Sequence, residues 1–161
     1  MNAKLLSIAI SGMLFSGAVF GQTDINQSLA GLASIELVID KIDLDTRLHG
    51  LGETDVRKTV ENVLQTAGIS LAQPGTGQAV LEIKVHTFWD QRAMLYAFSV
   101  RAQVKRWLKL PQSQELIEAA TWQSGEPTGL IGINRTHLIN RAVEKVATEF
   151  VVAYLKANQK D

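Results

Sequence analysis

Val80 to Leu110 read "VLEIKVHTFWDQRAMLYAFSVRAQVKRWLKL". Leu81, Ile83, Val85, Thr87 and Trp89 alternate with Glu82, Lys84, His86 and Phe88. Further on, Tyr96, Phe98, Val100, Ala102, Val104, Arg106 and Leu108 alternate with mostly polar residues. A period of two sends successive side chains to opposite faces of a sheet, and this pattern makes one face packed and the other wet. Asp90–Ala93 joins the two strands as a hairpin. The wet face then carries Lys84, His86, Arg101, Gln103 and Lys105.

Outward from the hairpin, the period changes to that of a helix on both sides. Val56, Val60, Val63, Leu64 and Ala67 lie on one helical face, with Thr54 to cap its start and Gly68 to end it. Leu138, Ile139, Ala142, Val143, Val146, Phe150, Ala153 and Tyr154 line one side of a longer helix, from about Arg135 to Ala157. Ile35–Ile42 has the apolar density of a first strand, and Asp43–Gly52 reads as a connecting loop. Gln73–Gln78 and Pro111–Gln114 read as turns, and Leu116–Gln123 as the last strand. The expected order is β-α-β-β-β-α. The expected fold class is α+β: a two-layer sandwich with a four-stranded, mainly antiparallel sheet and two helices on one face, which buries every apolar stripe at once.

Before the first strand, Met1–Lys4 is weakly basic and Leu5–Phe20 is apolar or small. That run is shorter than the roughly 20 residues of a membrane-spanning helix. With small or tolerable residues at Val19 and Gly21, it has the layout of a secretory signal peptide. Residues 1–21 are therefore read as the signal peptide, cleaved between Gly21 and Gln22. Residues 22–33 are a short polar leader, 34–158 a single α/β domain, and 159–161 a tail. A periplasmic or secreted location follows, with no transmembrane helix after signal removal. The chain holds no cysteine among its 161 residues. Disulfides, thiolate metal sites, cysteine nucleophiles and a lipobox anchor are excluded, which suits a bacterial envelope better than a disulfide-rich extracellular module. Net charge is zero, so no basic field favours nucleic acid.

Three glycines precede the long helix, in "GEPTGLIGINRT" at 125–136. Gly125, Gly129 and Gly132 have neither the Walker nor the dinucleotide-binding spacing, and no Gly-Lys-Ser/Thr follows. The stretch reads as a strand-to-helix loop, with Asn134 capping the helix and Leu130, Ile131 and Ile133 tucked onto the core edge.

Other candidates carry weak chemistry. His49, His86 and His137 lack any metal-ligand spacing and read as surface histidines. Asp40, Asp43, Asp45, Glu53 and Asp55 surround the first loop, but Asp43-Leu44-Asp45-Thr46-Arg47 lacks the glycine of a calcium loop. Ser124 lacks the nucleophile-elbow context. Trp89, Trp107 and Trp122 read as core or core-edge residues, with a patch near Phe88, Trp89 and Trp107 as a partner surface. No catalytic, cofactor-binding or metal-ligating residue is assigned, no cofactor is expected, and no binding residue is singled out.

The segments "VRKTVENVLQTAGI", "AVLEIKVHTF", "YAFSVRAQV", "ATWQSG…GLIG" and "ATEFVVAYLKAN" together resemble a group of uncharacterised secreted bacterial α/β proteins. Those motifs concern packing and turns, so the resemblance implies fold and compartment. The strand order is also similar to the lipopolysaccharide-transport lipoprotein of the outer membrane and the penicillin-binding-protein activator lipoproteins. Both are anchored through a lipobox cysteine that this chain lacks, so the likeness is one of fold.

The expected function is a non-catalytic secreted or periplasmic binding or accessory module of the cell envelope, using a sheet face or strand edge to contact a protein or envelope component. Two alternatives stand beside it. One is a small envelope hydrolase using Asp43, Asp45 or Glu126 with His49 or His137. The other is an inhibitor or immunity-type protein of another secreted enzyme.

Overall fold

The computed structural model describes residues 25–159; residues 1–21, read above as a signal peptide, and the cleavage point expected after them lie outside the described residues. The chain forms a 3-10 turn at Ile25–Leu29 and strand β1 at Ile35–Ile39. Helices α1 (Leu44–Leu48) and α2 (Glu53–Thr66) come next, followed by strands β2 (Ala79–Asp90), β3 (Leu95–Lys109), β4 (Leu116–Gln123) and β5 (Thr128–Gly132). A 3-10 turn at Ile133–Arg135 leads into the long helix α3 (His137–Asn158). The class is α+β, with a five-stranded sheet rather than four strands.

The long hairpin forms as its alternation requires, with β2 and β3 paired antiparallel from Val80↔Lys105 to Asp90↔Leu95. β1 pairs parallel with β2, in register from Ile35↔Ala79 to Ile39↔Ile83, so α2 is the crossover between them. β3 is long enough to carry two strands on its far side. Its C-terminal half pairs with β4, with a register shift between Val104 and Lys105. Its N-terminal half pairs with β5.

β5 is the main departure from the sequence reading. The glycine stretch is a strand, because Leu95–Ser99 offers an unpaired edge that residues 128–132 satisfy. Strand alternation then splits the apolar residues expected to tuck inward: Ile131 is buried and Leu130 is 72% exposed. Asn134 falls in the following 3-10 turn and does not cap α3; Thr136 takes the N-cap position without a side-chain cap bond. Gly129 is required for space, since a Cβ there would lie 2.7 Å from Cε1 of Phe98.

Helix α2 starts one residue before Thr54, the residue expected to cap it. Gly52 is its N-cap, and the Asp55 carboxylate accepts the Gly52 N–H at 3.0 Å. Its end is as expected: Gly68 adopts a φ of +73°, and the Ile69 N–H reaches Leu64 O at 2.9 Å, which is the hydrogen bonding of a Schellman motif. Asp43–Gly52 is more than a loop, because its middle winds into α1 over the end of the sheet.

The core lies between the sheet and the two longer helices. Val56, Val60 and Leu64 of α2 and Ile139, Val143, Val146 and Phe150 of α3 are fully buried, as are Leu81, Ile83, Val100, Ala102 and Val104 beneath them. The segment read as a polar leader adds Leu29 and Leu32, both buried. It is fastened by Asn158 Nδ2 donating to Leu29 O at 3.1 Å and Tyr154 Oη donating to Leu32 O at 2.8 Å. Its polar composition had concealed two leucines that close the end of the core. Among the described residues, no helix is long and apolar enough to cross a membrane.

Candidate functional site

Two surfaces carry chemistry that packing does not absorb. The first is the sheet face that no helix covers. Cross-strand neighbours make rows on it: Phe88–Ala97–Leu130, His86–Ser99–Thr128, Lys84–Arg101, and Glu82–Gln103–Gln123. Glu82 is the hub of the central rows, whereas the buried Nε of Arg101 has no hydrogen-bond partner among the described residues. Lys105 Nζ donates to Glu82 Oε1 at 2.9 Å, Lys84 Nζ lies 3.4 Å from Glu82 Oε2, and Lys105 also lies 3.7 Å from Glu118. Gln103 Nε2 donates to the same Glu82 carboxylate, which leaves Gln103 buried rather than on the wet surface expected of it. Burial pushes the Glu82 carboxyl up, but the hydrogen bonds from Lys105 and Gln103 and the Lys105 and Lys84 charges outweigh it and hold the group below the usual carboxylate range. The hydrogen bond to Glu82 outweighs burial on Lys105 and raises its ammonium above the ordinary value.

The far end of this face is different. Past the register shift, β3 and β4 continue as a two-stranded ribbon. Trp107 and Leu116 point to the open side, 65% and 64% exposed. Leu108 and Ile117 are paired on the opposite side and are also exposed. Trp107 is therefore not a core residue. It lies ten residues along the strand from Ala97, the partner of Phe88, a separation of roughly 33 Å. The single aromatic patch expected from the sequence is two patches, one at each end of β3.

The second surface is a cavity of about 450 Å³ at the near end, between α1 and the ends of β2 and β3. Asp43, Asp45 and Leu44 line it from the α1 side, and Thr87, Phe88, Trp89 and Tyr96 from the sheet. Period two explains why Thr87, Trp89 and Tyr96 share one side. The rings of Trp89 and Tyr96 have centroids 4.7 Å apart, and His49 lies 5.5 Å from Trp89 and 5.7 Å from Tyr96.

The Tyr96 phenol is paired with Nδ1 of His49. Burial, with the negative charge of Asp45 beside it, raises the Tyr96 pKa above the usual phenol value, against a smaller opposing effect of Thr46. The phenol thus stays protonated, and which of the two atoms donates is set by the His49 tautomer. Thr46 and Thr87 hydroxyls meet at 2.6 Å, and Thr87 Oγ1 donates to Asp43 Oδ2 at 3.2 Å. A carboxylate only accepts, so the Thr87 proton points at Asp43 and Thr46 donates to Thr87. The loop is tied to α3 by Thr136 Oγ1 donating to His49 O at 2.9 Å.

Of the hydrolase candidates, the structure brings Asp43, Asp45 and His49 to this end of the sheet. Glu126 is instead held 4.0 Å from Arg101, and His137 opens α3 as an exposed residue. His86 is exposed on the open face, whereas His49 is half-buried among rings. Among the described residues, no group of three or more histidines and carboxylates is placed to hold a metal ion. Tyr96 was read from the sequence only as an inward strand residue; its pairing with His49 depends on the α1 fold-back, which carries no local signal. A third concavity, a groove of about 760 Å³, runs along α3 beside Trp122 and Gly125, with Arg141, Glu144, Lys145 and Glu149 along it.

No protein-family model matches the chain. No curated protein matches it either. Among solved structures, the PelC dodecamer from Paraburkholderia phytofirmans is similar at 13% identity and a TM-score of 0.38, covering 78% of this chain and 86% of that one. A single-residue variant of the same dodecamer gives 15% identity and a TM-score of 0.39 over the same shares. This is a distant fold resemblance. It does not establish membership in the secreted-protein group or in either lipoprotein family.

Proposed function

We propose that this chain is a non-catalytic binding or accessory module of the bacterial cell envelope, periplasmic or secreted after removal of residues 1–21. The observation that carries the reading is the β3–β4 ribbon, which exposes Trp107 and Leu116 on one side and Leu108 and Ile117 on the other. Exposed apolar surface of this kind, concentrated on one projecting element, is the mark of an interaction site. The ribbon's tip is polar, from Pro111 to Glu115. That favours a protein groove over insertion of the tip into lipid. The middle of the open face is self-paired by Glu82, Lys84 and Lys105 and offers little free charge to a partner.

The test is capture of partners from envelope extract by the tagged chain, with bound proteins, lipids and glycans identified by mass spectrometry. Trp107→Ser and Leu116→Ser are run in parallel. A single component enriched by the native chain and lost with both variants supports the reading. Recovery of the bare chain overturns it, as does turnover in a broad hydrolase screen that His49→Ala abolishes.

A further inference from the structure

We propose that the outer edge of β5 pairs with the same edge of a second copy of this chain, antiparallel and two-fold symmetric about Leu130. This contact is separate from the ribbon and stands or falls independently of it.

β5 pairs with β3 and, among the described residues, with no other strand. In an antiparallel ladder the backbone groups of successive residues point alternately to the two sides. Val100 N–H donates to Pro127 O at 3.1 Å, so Pro127, Gly129 and Ile131 face β3, and Thr128, Leu130 and Gly132 turn outward. The chain covers part of its other edges itself. Ala72 N–H donates to Ile35 O at 2.8 Å beside β1, and Ser28 Oγ donates to Thr121 O at 2.7 Å beside β4. Among the described residues, nothing hydrogen-bonds the outward groups of Thr128 and Leu130. Residues 128–132 hold no charge and no proline, and they pair with β3 without a bulge. Those are the devices that normally blunt an edge against pairing.

The residues of this edge select a second copy as its occupant. Pairing about Leu130 sets Leu130 opposite its own copy and Thr128 opposite Gly132. The N–H groups of Leu130 and Gly132 then meet the C=O groups of Leu130 and Thr128 in the other chain. The open-face row Phe88–Ala97–Leu130 continues through the second Leu130 into the same row of the copy, which covers a side chain now 72% exposed. On the inward side each Ile131 lies opposite a Gly129, which leaves it room. Charge also selects the direction. Glu126 precedes the strand with only a 4.0 Å contact to Arg101, and Arg135 follows it with no ion pair among the described residues. The two-fold sets Glu126 opposite Asn134 and beside Arg135, so opposite charges meet at both ends. Parallel pairing would set like against like. A foreign strand of one charge would suit one end and oppose the other. A five-residue edge spans roughly 17 Å, small beside the about 800 Å² per partner of a stable complex, so the dimer is weak.

The test is sedimentation equilibrium of the purified chain from about 10 µM to about 1 mM at low ionic strength, where exposed charges are least screened. Amide hydrogen exchange is followed at both ends of that range. A monomer–dimer equilibrium is expected, with the Leu130 and Gly132 N–H groups exchanging more slowly in the concentrated sample. Leu130→Lys sets two like charges across the axis and is expected to weaken association about tenfold. Glu126→Lys and Arg135→Glu are each expected to weaken it, and the double reversal to restore it. Trp107→Ser is expected to leave it unchanged, which separates this contact from the ribbon. All these side chains are at the surface, and melting temperatures check that the variants fold. The proposal is overturned if the chain stays monomeric throughout, if folded Leu130→Lys associates as tightly as the native chain, if the double reversal associates no better than the single ones, or if Trp107→Ser abolishes the dimer.

Discussion

Gly129 and Gly132 lie three residues apart in β5 and its exit, and alanine is expected to act in opposite directions at the two. Neither has a left-handed φ. Glycine's extra freedom in the unfolded chain therefore acts alone at Gly132, where a Cβ would meet nothing within 4 Å. Gly132→Ala is expected to stabilise the fold by about 0.4–1 kcal/mol. At Gly129 the same gain is opposed by the Phe98 ring, whose Cε1 and Cζ would lie 2.7 and 2.9 Å from the new Cβ. Phe98 is packed against the core from the directly paired position on β3, so the ring cannot swing away freely. Overpacking of this kind costs about 1–3 kcal/mol, leaving Gly129→Ala a net loss of about 1–2 kcal/mol. Urea denaturation of the two variants, and of Gly129→Ala in a Phe98→Ala background, measures this directly. Removing the ring should restore the stabilising sign at position 129. The reasoning fails if Gly129→Ala stabilises as Gly132→Ala does, or if its cost is unchanged without Phe98.

Two further outcomes follow from the packing and the open face. Leu29→Ala should lose about 2–5 kcal/mol in the same assay, as for a fully buried leucine; a loss below about 0.5 kcal/mol would mean the segment before β1 is not part of the folded unit. Glu82→Gln should cost about 1–2 kcal/mol at neutral pH, because Lys105 and Lys84 lose their shared carboxylate. The lowered Glu82 pKa adds stability above the unfolded carboxyl value of roughly 4.3, lost as pH falls through the lower folded value. The raised Lys105 pKa adds stability that is complete below the unfolded lysine value of roughly 10.4 and is lost as pH rises through the higher folded one. The gap between native chain and variant should therefore be widest between those limits and shrink beyond each; a gap independent of pH would refute the assignment.

The long hairpin and both major helices were legible because their apolar periods are long and unbroken. Gly68 was legible as a helix stop for a local reason, its freedom to adopt positive φ. β5 was not, because five residues containing two glycines carry no period. They become a strand through the edge that β3 offers, which is a tertiary cause. The same holds for Leu29 and Leu32, whose burial depends on Tyr154 and Asn158 more than 120 residues away. At the cavity, Asp43, Asp45 and His49 were visible as residue types. Their grouping with Trp89 and Tyr96 was not, since α1 is too short to announce itself.

The clasp between Leu29–Gly31 and the last turn of α3 also sets an order of events. Asn158 Nδ2 donates to Leu29 O, and its Oδ1 accepts the Gly31 N–H at 2.9 Å, 127 residues apart in sequence. The β2–β3 hairpin can assemble from neighbouring residues, whereas this clasp closes a loop of more than 120 residues. A nascent chain therefore cannot fasten Leu29 and Leu32 in this way until Tyr154 and Asn158 have been made. For the export proposed above, this end of the core would close only after α3 is complete, which keeps the segment before β1 threadable until then.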